Sequence, residues 1–191
     1  MTNKRNYQRE LDSVIDIIKK EGRVPRLLLH SCCAPCSSYV LEYLSEIFSI
    51  TAFYYNPNIT EKNDYEKRVE ELKRLIREQP HLHEVHFLEG RYEPERFFEA
   101  ARGYENCREG GERCMRCFDL RLRESARTAA EGGFDFYATS LTISPLKNAA
   151  LLNEIGEEAG REYGVKWLPS DFKKRNGYRR SVELSLEYGL Y

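Results

Sequence analysis

The sequence predicts an α/β protein, a parallel Rossmann-like sheet with helices on both faces. Three observations carry that prediction. Short apolar runs alternate with helix-period segments along the chain. The first run, Arg26-Leu27-Leu28-Leu29-His30, lacks the polar alternation of a half-exposed strand, as expected where both faces are covered. Turn and stop residues, among them Gly22, Asn56-Pro57-Asn58, Pro80 and Gly132-Gly133, fall between the periodic segments.

Taken in order, Leu11, Val14, Ile15, Ile17 and Ile18 form a helical stripe, which predicts a leading amphipathic helix within residues 1–22. The strand 26–30 runs directly into Ser31-Cys32-Cys33-Ala34-Pro35-Cys36, and a helix is expected from about Ser37 to Phe48. A second strand, Ile50 to Tyr55, ends at the Asn-Pro turn. Asp64 to Gln79 reads as a helix with Asn63 or Asp64 as its N-cap and Pro80 as its stop. His83 to Leu88 is the third strand and Glu95 to Ala101 a short helix. A polar loop holding Cys107 then leads to a long helix from about Cys114 to Glu131. Strand four, Phe134 to Thr139, precedes Ser144-Pro145-Leu146-Lys147, a helix from Asn148 to about Tyr163 and a short strand, Val165 to Leu168. We expect one domain of 191 residues, with a sheet core over 26–168 and a basic helical extension over 169–191.

Composition narrows the function classes. Met1 to Glu21 is neither a secretory h-region nor a membrane span, so a soluble, cytoplasmic protein without a membrane partner is expected. The formal net charge of -1 supplies no global field for nucleic acid. Beyond residue 165, however, six Lys and Arg face three Asp and Glu, with Tyr178 among them, a local basic patch that suits an RNA backbone as well as a solvated face.

The six cysteines are the main chemical signal. Cys32, Cys33 and Cys36 lie in one cluster and Cys107, Cys114 and Cys117 in another. In a reducing compartment such thiols do not build a disulfide framework, and their clustering at ligand spacing argues against inert burial. With strand order 3-2-1-4, strand one and the helix leading into strand four meet at the switch point of the sheet, which brings both groups to one crevice. Residues 114 and 117 project from one helix face, and a helix N-terminus favours thiolates. Four thiolates suit a structural zinc or an iron-sulfur cluster, and fewer suit a redox dithiol; spacing alone does not separate them. Cys107 reads as a free thiol. Cys36 is surplus to a four-ligand set and is a candidate for a second metal together with Asp119.

Other residues reach the same rim. Tyr54, Tyr55, Asn56 and Asn58 end strand two, where they are candidates to stack on and hydrogen-bond a base, against the plainer reading of a strand and turn. Ser144 and Lys147 follow strand four, with Lys147 a candidate phosphate contact or proton donor. His30 ends strand one beside the thiols, either tuning them or capping the strand. His81, His83 and His86 resemble a metal triad, but on a strand His86 points away from the other two, so they read as solvated or packing residues.

The run Leu28-Leu29-His30-Ser31-Cys32-Cys33-Ala34-Pro35-Cys36-Ser37, followed by Tyr54-Tyr55-Asn56-Pro57-Asn58-Ile59, Arg113-Cys114-Met115-Arg116-Cys117-Phe118, Arg121-Leu122, Ser144-Pro145-Leu146-Lys147 and Asp171-Phe172-Lys173-Lys174, resembles the QueH-type epoxyqueuosine reductases over about residues 26 to 182. The resemblance implies a cobalamin-independent oxidoreductase that reduces epoxyqueuosine to queuosine at the wobble position of tRNA, the last step of queuosine synthesis. It implies a fold of the nucleotide alpha-hydrolase (HUP) type, with cysteines where a phosphate loop normally stands. It also implies a 4Fe-4S cluster on Cys32, Cys33, Cys114 and Cys117, and a neighbouring mononuclear iron for which Cys36 and Asp119 are the candidates. An electron-donor protein or low-potential reductant is the further partner. Asp119 and Lys147 are candidate proton donors, and Tyr55, Asn56, Asn58, Ser144, Lys147, Lys173 and Lys174 candidate substrate contacts. The family pattern continues into a Tyr-Cys-Gly-Cys-like tail that this sequence lacks, so either tail cysteines are dispensable or this member differs.

Three alternatives make different demands. A cluster-dependent tRNA sulfur-transfer enzyme on the same fold needs a glycine-rich phosphate loop after strand one, where the sequence has cysteines. A non-catalytic zinc-stabilised RNA-binding module predicts colourless, zinc-loaded protein. A thiol-disulfide oxidoreductase predicts a Cys114-Cys117 disulfide that turns over without iron.

Overall fold

The structure, a computed structural model, describes residues 5–191. The chain runs through α1 (Tyr7–Glu21), β1 (Arg26–His30), α2 (Ala34–Leu44), β2 (Ser49–Tyr54), α3 (Lys62–Glu78), β3 (Val85–Glu89), α4 (Pro94–Ala101), α5 (Glu112–Glu131), β4 (Phe136–Thr139), a 3-10 turn (Ser140–Ile143), α6 (Ala149–Tyr163), β5 (Lys166–Trp167) and α7 (Gly177–Glu187). The five strands form one all-parallel sheet in the order β3-β2-β1-β4-β5, which contains the expected 3-2-1-4.

The apolar run of β1 explains the layering. Leu27 and Leu29 join a cluster with Leu11, Ile15, Leu41 and Leu72 from α1, α2 and α3, while Leu28 joins Phe118, Leu122, Leu152 and Trp167 on the other face. All three leucines are fully buried, so alternation has no solvent face to serve. Local chemistry sets the helix ends. The Asn6 side chain accepts from Arg9 N and Gly22, at φ 64°, closes α1; Asn148 and Gly164 do the same for α6.

Several boundaries differ from expectation. α2 begins at Ala34 rather than Ser37, because the Cys33 sulfur accepts from Cys36 N and Pro35 suits a first turn; Cys36 is therefore helical. α3 begins at Lys62, one residue before Asn63, so neither Asn63 nor Asp64 caps it; Asp64 instead pairs with Arg68 at 3.0 Å. β3 starts at Val85, leaving His81 and His83 before the strand, while His86 is exposed and paired with Glu84. α7 packs against α2, and Arg180 reaches Glu42 at 2.6 Å. Among the described residues no helix is long and apolar enough to cross a membrane.

The two-residue strand β5 is held by side chains more than by its ladder. Buried Asn153 accepts from Trp167 Nε1 (2.9 Å) and Ser170 N (3.0 Å), and donates to Ala149 O (2.7 Å) and Ser170 O (2.8 Å). Gly156 leaves room for the Trp167 ring, which a Cβ there would meet at 2.4 Å. Asn153→Leu strands the Trp167 and Ser170 donors in the interior, and we expect it to lower the unfolding free energy by at least about 2 kcal/mol in urea titrations.

Candidate thiolate-metal site

β1 leaves the sheet at its centre, and its exit is fixed from both sides. Ser31 N donates to Phe53 O (2.9 Å) and the Asn56 amide donates to Ser31 O (3.0 Å). On the other side, Cys32 N donates to Ser140 Oγ at 3.2 Å, just beyond β4. The tight turn that follows gathers Cys32, Cys33 and Cys36, whose sulfurs all lie within 4.8 Å of one another, with Cys32 and Cys33 3.9 Å apart. All three are free thiols. They sit at the N-terminus of α2, where unpaired backbone N–H groups favour anionic sulfur.

Their protons are unequally held. Hydrogen bonds from the Cys33 and Cys36 thiols, with help from Arg121 and the Ser140 hydroxyl, hold Cys32 well below the usual thiol range. Donating to Cys32 pushes Cys33 up to about 12, and donating to both neighbours pushes Cys36 up as well. One thiolate thus organises two thiol protons, which a soft metal would displace; the donor set fits such an ion.

α5 supplies the opposing wall. Cys114, Cys117, Phe118, Arg121, Leu122 and Ser125 follow helical spacing on one face, and the last five are buried. Cys114 and Cys32 pack against the same apolar cluster. Cys114 Sγ accepts from Gly110 N (3.3 Å) and Cys117 Sγ from Arg121 (3.9 Å). Cys114 and Cys117 stand outside the set of sulfurs close enough for a single ion.

Arg121 joins these walls. It is 4% exposed, and its guanidinium donates to Asn56 Oδ1 (2.5 Å), His30 Nε2 (3.3 Å) and the Cys117 sulfur. His30 Nε2 also lies 3.1 Å from Tyr55 O, and Nδ1 lies 2.8 Å from Thr139 Oγ1, so the ring is engaged at both nitrogens. Burial first, then the Arg121 charge, lower the His30 pKa to about 3. His30 therefore stays neutral beside the thiols, a buried network member and not a strand cap.

The remaining candidates divide. Asn56 is buried and acts by clamping Arg121 to Ser31. Tyr54 and Tyr55 are fully buried and present no face for stacking; the Tyr55 ring lies against Phe53 and its hydroxyl meets Arg96 and Glu93. Asn58 has a buried Oδ1 with no donor among the described residues. Asp119 does not accompany Cys36: it pairs with Arg123 at 2.8 Å in a groove walled by α4, α5 and α6. Two residues beyond Cys117, it lies on the far side of the helix. Lys147 is likewise gathered away from the thiols, in a groove of about 1010 Å³ that it lines with Lys173 and Lys174. Ser144 accepts from Leu146 N in the preceding turn. Cys107 lies in the loop before α5, near Gly111. Sequence reasoning missed roles for Ser140 and Arg121. Arg121 was findable as the residue four past Cys117, on the same helix face.

A Rossmann-like sheet with three half-buried thiols gathered at its switch point defines a protein of a class that could hold a soft metal ion there. Residues 27–191 match the family model described as epoxyqueuosine reductase QueH. The proteins named epoxyqueuosine reductase QueH include one from Streptococcus pyogenes serotype M1, 44% identical over 188 residues, spanning 97% of this chain and 74% of that protein. Another, from Staphylococcus epidermidis, is 40% identical over 97% of this chain and 80% of its own length. A third, from Thermotoga maritima, is 33% identical over 86% and 84%. The chain belongs to the QueH family of epoxyqueuosine reductases and is an oxidoreductase.

Neutral His30 gives a pH signature. Between its unfolded pKa of 6.5 and its folded value of about 3, the unfolded chain binds the extra proton, so stability falls as pH falls through that window. For metal-free protein the loss from pH 6.5 to 5 is about 2 kcal/mol from this group. Urea titrations of His30→Gln should show that acid-side loss removed.

Proposed function

We propose that this chain reduces epoxyqueuosine to queuosine in the anticodon loop of tRNA, at a centre formed by a 4Fe-4S cluster on Cys32, Cys33, Cys114 and Cys117 and a neighbouring iron bound through Cys36. The observation that carries the reading is the three-thiol turn, facing the α5 wall that bears the other two thiols and a buried arginine. Free thiols fit a cytoplasmic location, where they stay reduced.

Removing the epoxide oxygen breaks two C–O bonds, forms one C=C bond, consumes two electrons and two protons and releases water. When bound, the cluster supplies electrons one at a time and the iron acts as a Lewis acid toward the departing oxygen. The electrons come from an electron-donor protein or a low-potential reductant. The protein orients and encloses: Ser31, Asn56 and Ser140 fix the cysteine turn, and the apolar cluster behind Cys32 and Cys114 excludes water. Asn58, with its unpartnered buried oxygen, is the rim residue best suited to accept from the substrate. Asp119, paired with Arg123, and Lys147, in the basic groove, are the candidate proton donors, and Asp119 is the candidate second ligand beside Cys36.

The RNA backbone has a separate seat on the same rim. Arg9, Lys147, Lys173 and Lys174 line the large groove at the N-termini of α1 and α6. The 3-10 turn separates it from the thiols: Ser140 touches Cys32, and Thr142 Oγ1 accepts from Phe172 N. Among the described residues Lys147 and Lys174 have no carboxylate partner, whereas Lys173 pairs with Asp171 at 2.5 Å. We assign Lys147, Lys173 and Lys174 to phosphate contacts, with Ser144, whose carbonyl accepts from Lys147 N, as a further candidate.

The test is anaerobic incubation of iron-loaded protein with epoxyqueuosine-bearing tRNA and a low-potential reductant, followed by nucleoside mass analysis; the nucleoside should lose one oxygen. Unchanged nucleoside with an intact cluster refutes the reading. Cys32→Ala and Cys114→Ala should lose cluster and activity together. Cys36→Ala should keep the cluster absorbance while losing activity and one iron per chain, and Cys107→Ala should keep everything. For the groove, Lys147→Ala with Lys174→Ala should weaken tRNA binding, lower the log-log salt slope by about 1 per charge removed, and leave turnover at saturating tRNA unchanged.

A further inference from the structure

Arg121 presents a charge without an ordinary partner. Arginine stays protonated in proteins, and burying such a charge costs several kcal/mol unless an anion and hydrogen bonds compensate it. Here the guanidinium is 4% exposed and its neighbours are a neutral amide oxygen, a neutral imidazole and the Cys117 sulfur. Among the described residues no carboxylate pairs with it, although almost every other arginine near this wall has one: Arg116 meets Glu112, Arg123 meets Asp119, and Arg127 meets Glu124. Among the described residues, the groups able to carry negative charge that meet it are sulfurs, Cys117 by contact and Cys32 through the field.

The surroundings hold the guanidinium rather than discharge it. Asn56 Oδ1 takes one N–H and is itself fixed through Ser31 O, so the fork cannot swing toward solvent. His30 Nε2 lies 3.3 Å from Arg121 Nε and the ring stays neutral, so it neither repels nor replaces the charge. The aliphatic stem lies on the buried α5 face beside Phe118, Leu122 and Ser125.

We propose that Arg121 is the fixed counter-charge of the metal centre and sets the potential at which that centre accepts an electron. This rests on the cluster reading above and adds to it a residue that binds no metal and positions charge beside one. A four-thiolate cluster gains one negative charge on reduction, and a buried cation on its ligand shell stabilises the reduced form more than the oxidised one. Removing the cation therefore moves the potential to more negative values. In a dry site the interaction is poorly screened, so the shift should persist at high salt.

The test compares anaerobically loaded wild type, Arg121→Gln and Arg121→Lys by spectroscopic redox titration, with iron and sulfide counted for each. Glutamine keeps a donor toward Asn56 and loses the charge; lysine keeps the charge and loses the fork. We expect R121Q to hold the cluster with its one-electron equilibrium shifted at least tenfold against reduction, or 59 mV, and R121K to return most of that shift. R121Q empty while R121K loads also supports the proposal, since charge and not shape then retains the cluster. R121Q loaded at the wild-type potential overturns it, as does failure of both variants to load, which marks a packing role. Wild type that holds no iron and sulfide instead overturns the cluster reading itself, and the two failures are separate measurements.

Discussion

The site depends on β1 being the central strand. Its backbone is hydrogen-bonded on one side to β2 and on the other to β4, in register along nearly its whole length. A strand held on both edges cannot slide, so the point at which it leaves the sheet is fixed to the residue. Ser31 and Cys32 extend that grip, one toward β2 and the other toward Ser140 after β4. A cysteine turn hung from such an anchor presents its sulfurs in one geometry before any metal arrives. The entropy of ordering three ligands is met by folding and not by binding.

The second constraint is electrostatic. A helix N-terminus and a buried guanidinium both lower the energy of negative charge, and they approach the thiols from opposite walls, α2 and α5. In nucleotide-binding relatives of this architecture the same helix N-terminus after strand one receives a phosphate. Here Cys33 occupies the capping position, and its own sulfur accepts the first free N–H. The architecture keeps this helix N-terminus and fills it with a sulfur that the chain itself carries.

Much of this was legible in the sequence, and the misses have physical causes. The unbroken leucines of β1 and the helix-period segments around them define a covered parallel sheet, because only burial on both faces removes alternation. The convergence of the cysteine groups follows from chain order at the switch point. Tyr55 was misread because period-2 reasoning gives the face of a residue but not what lies over it, and α4 and α5 cover that end of β2. Asp119 is paired with Arg123, and helix spacing sets it apart from Cys117: at 100° per residue it lies 200° round from Cys117, whereas Arg121 returns to within 40° of it. What the sequence could not reveal is that Arg121 pairs with no carboxylate among the described residues, since that depends on every element packed around it.

Placing the metal ligands and the basic groove side by side separates two tasks that one surface would perform badly. Phosphate contacts need exposed, hydrated cations, whose attraction is long-ranged and screened by salt. The redox centre needs a dry cavity in which one fixed charge outweighs many mobile ones. The 3-10 turn Ser140–Ile143 stands between them, touching Cys32 through Ser140 and the groove-forming segment through Thr142. All four of its residues are buried, so it separates the wet side from the dry one without opening a path for water between them. Under the proposed function, a substrate whose backbone is seated in the groove would deliver one base across the turn to the thiols, and a weakly charged protein would bind RNA without exposing its centre to solvent.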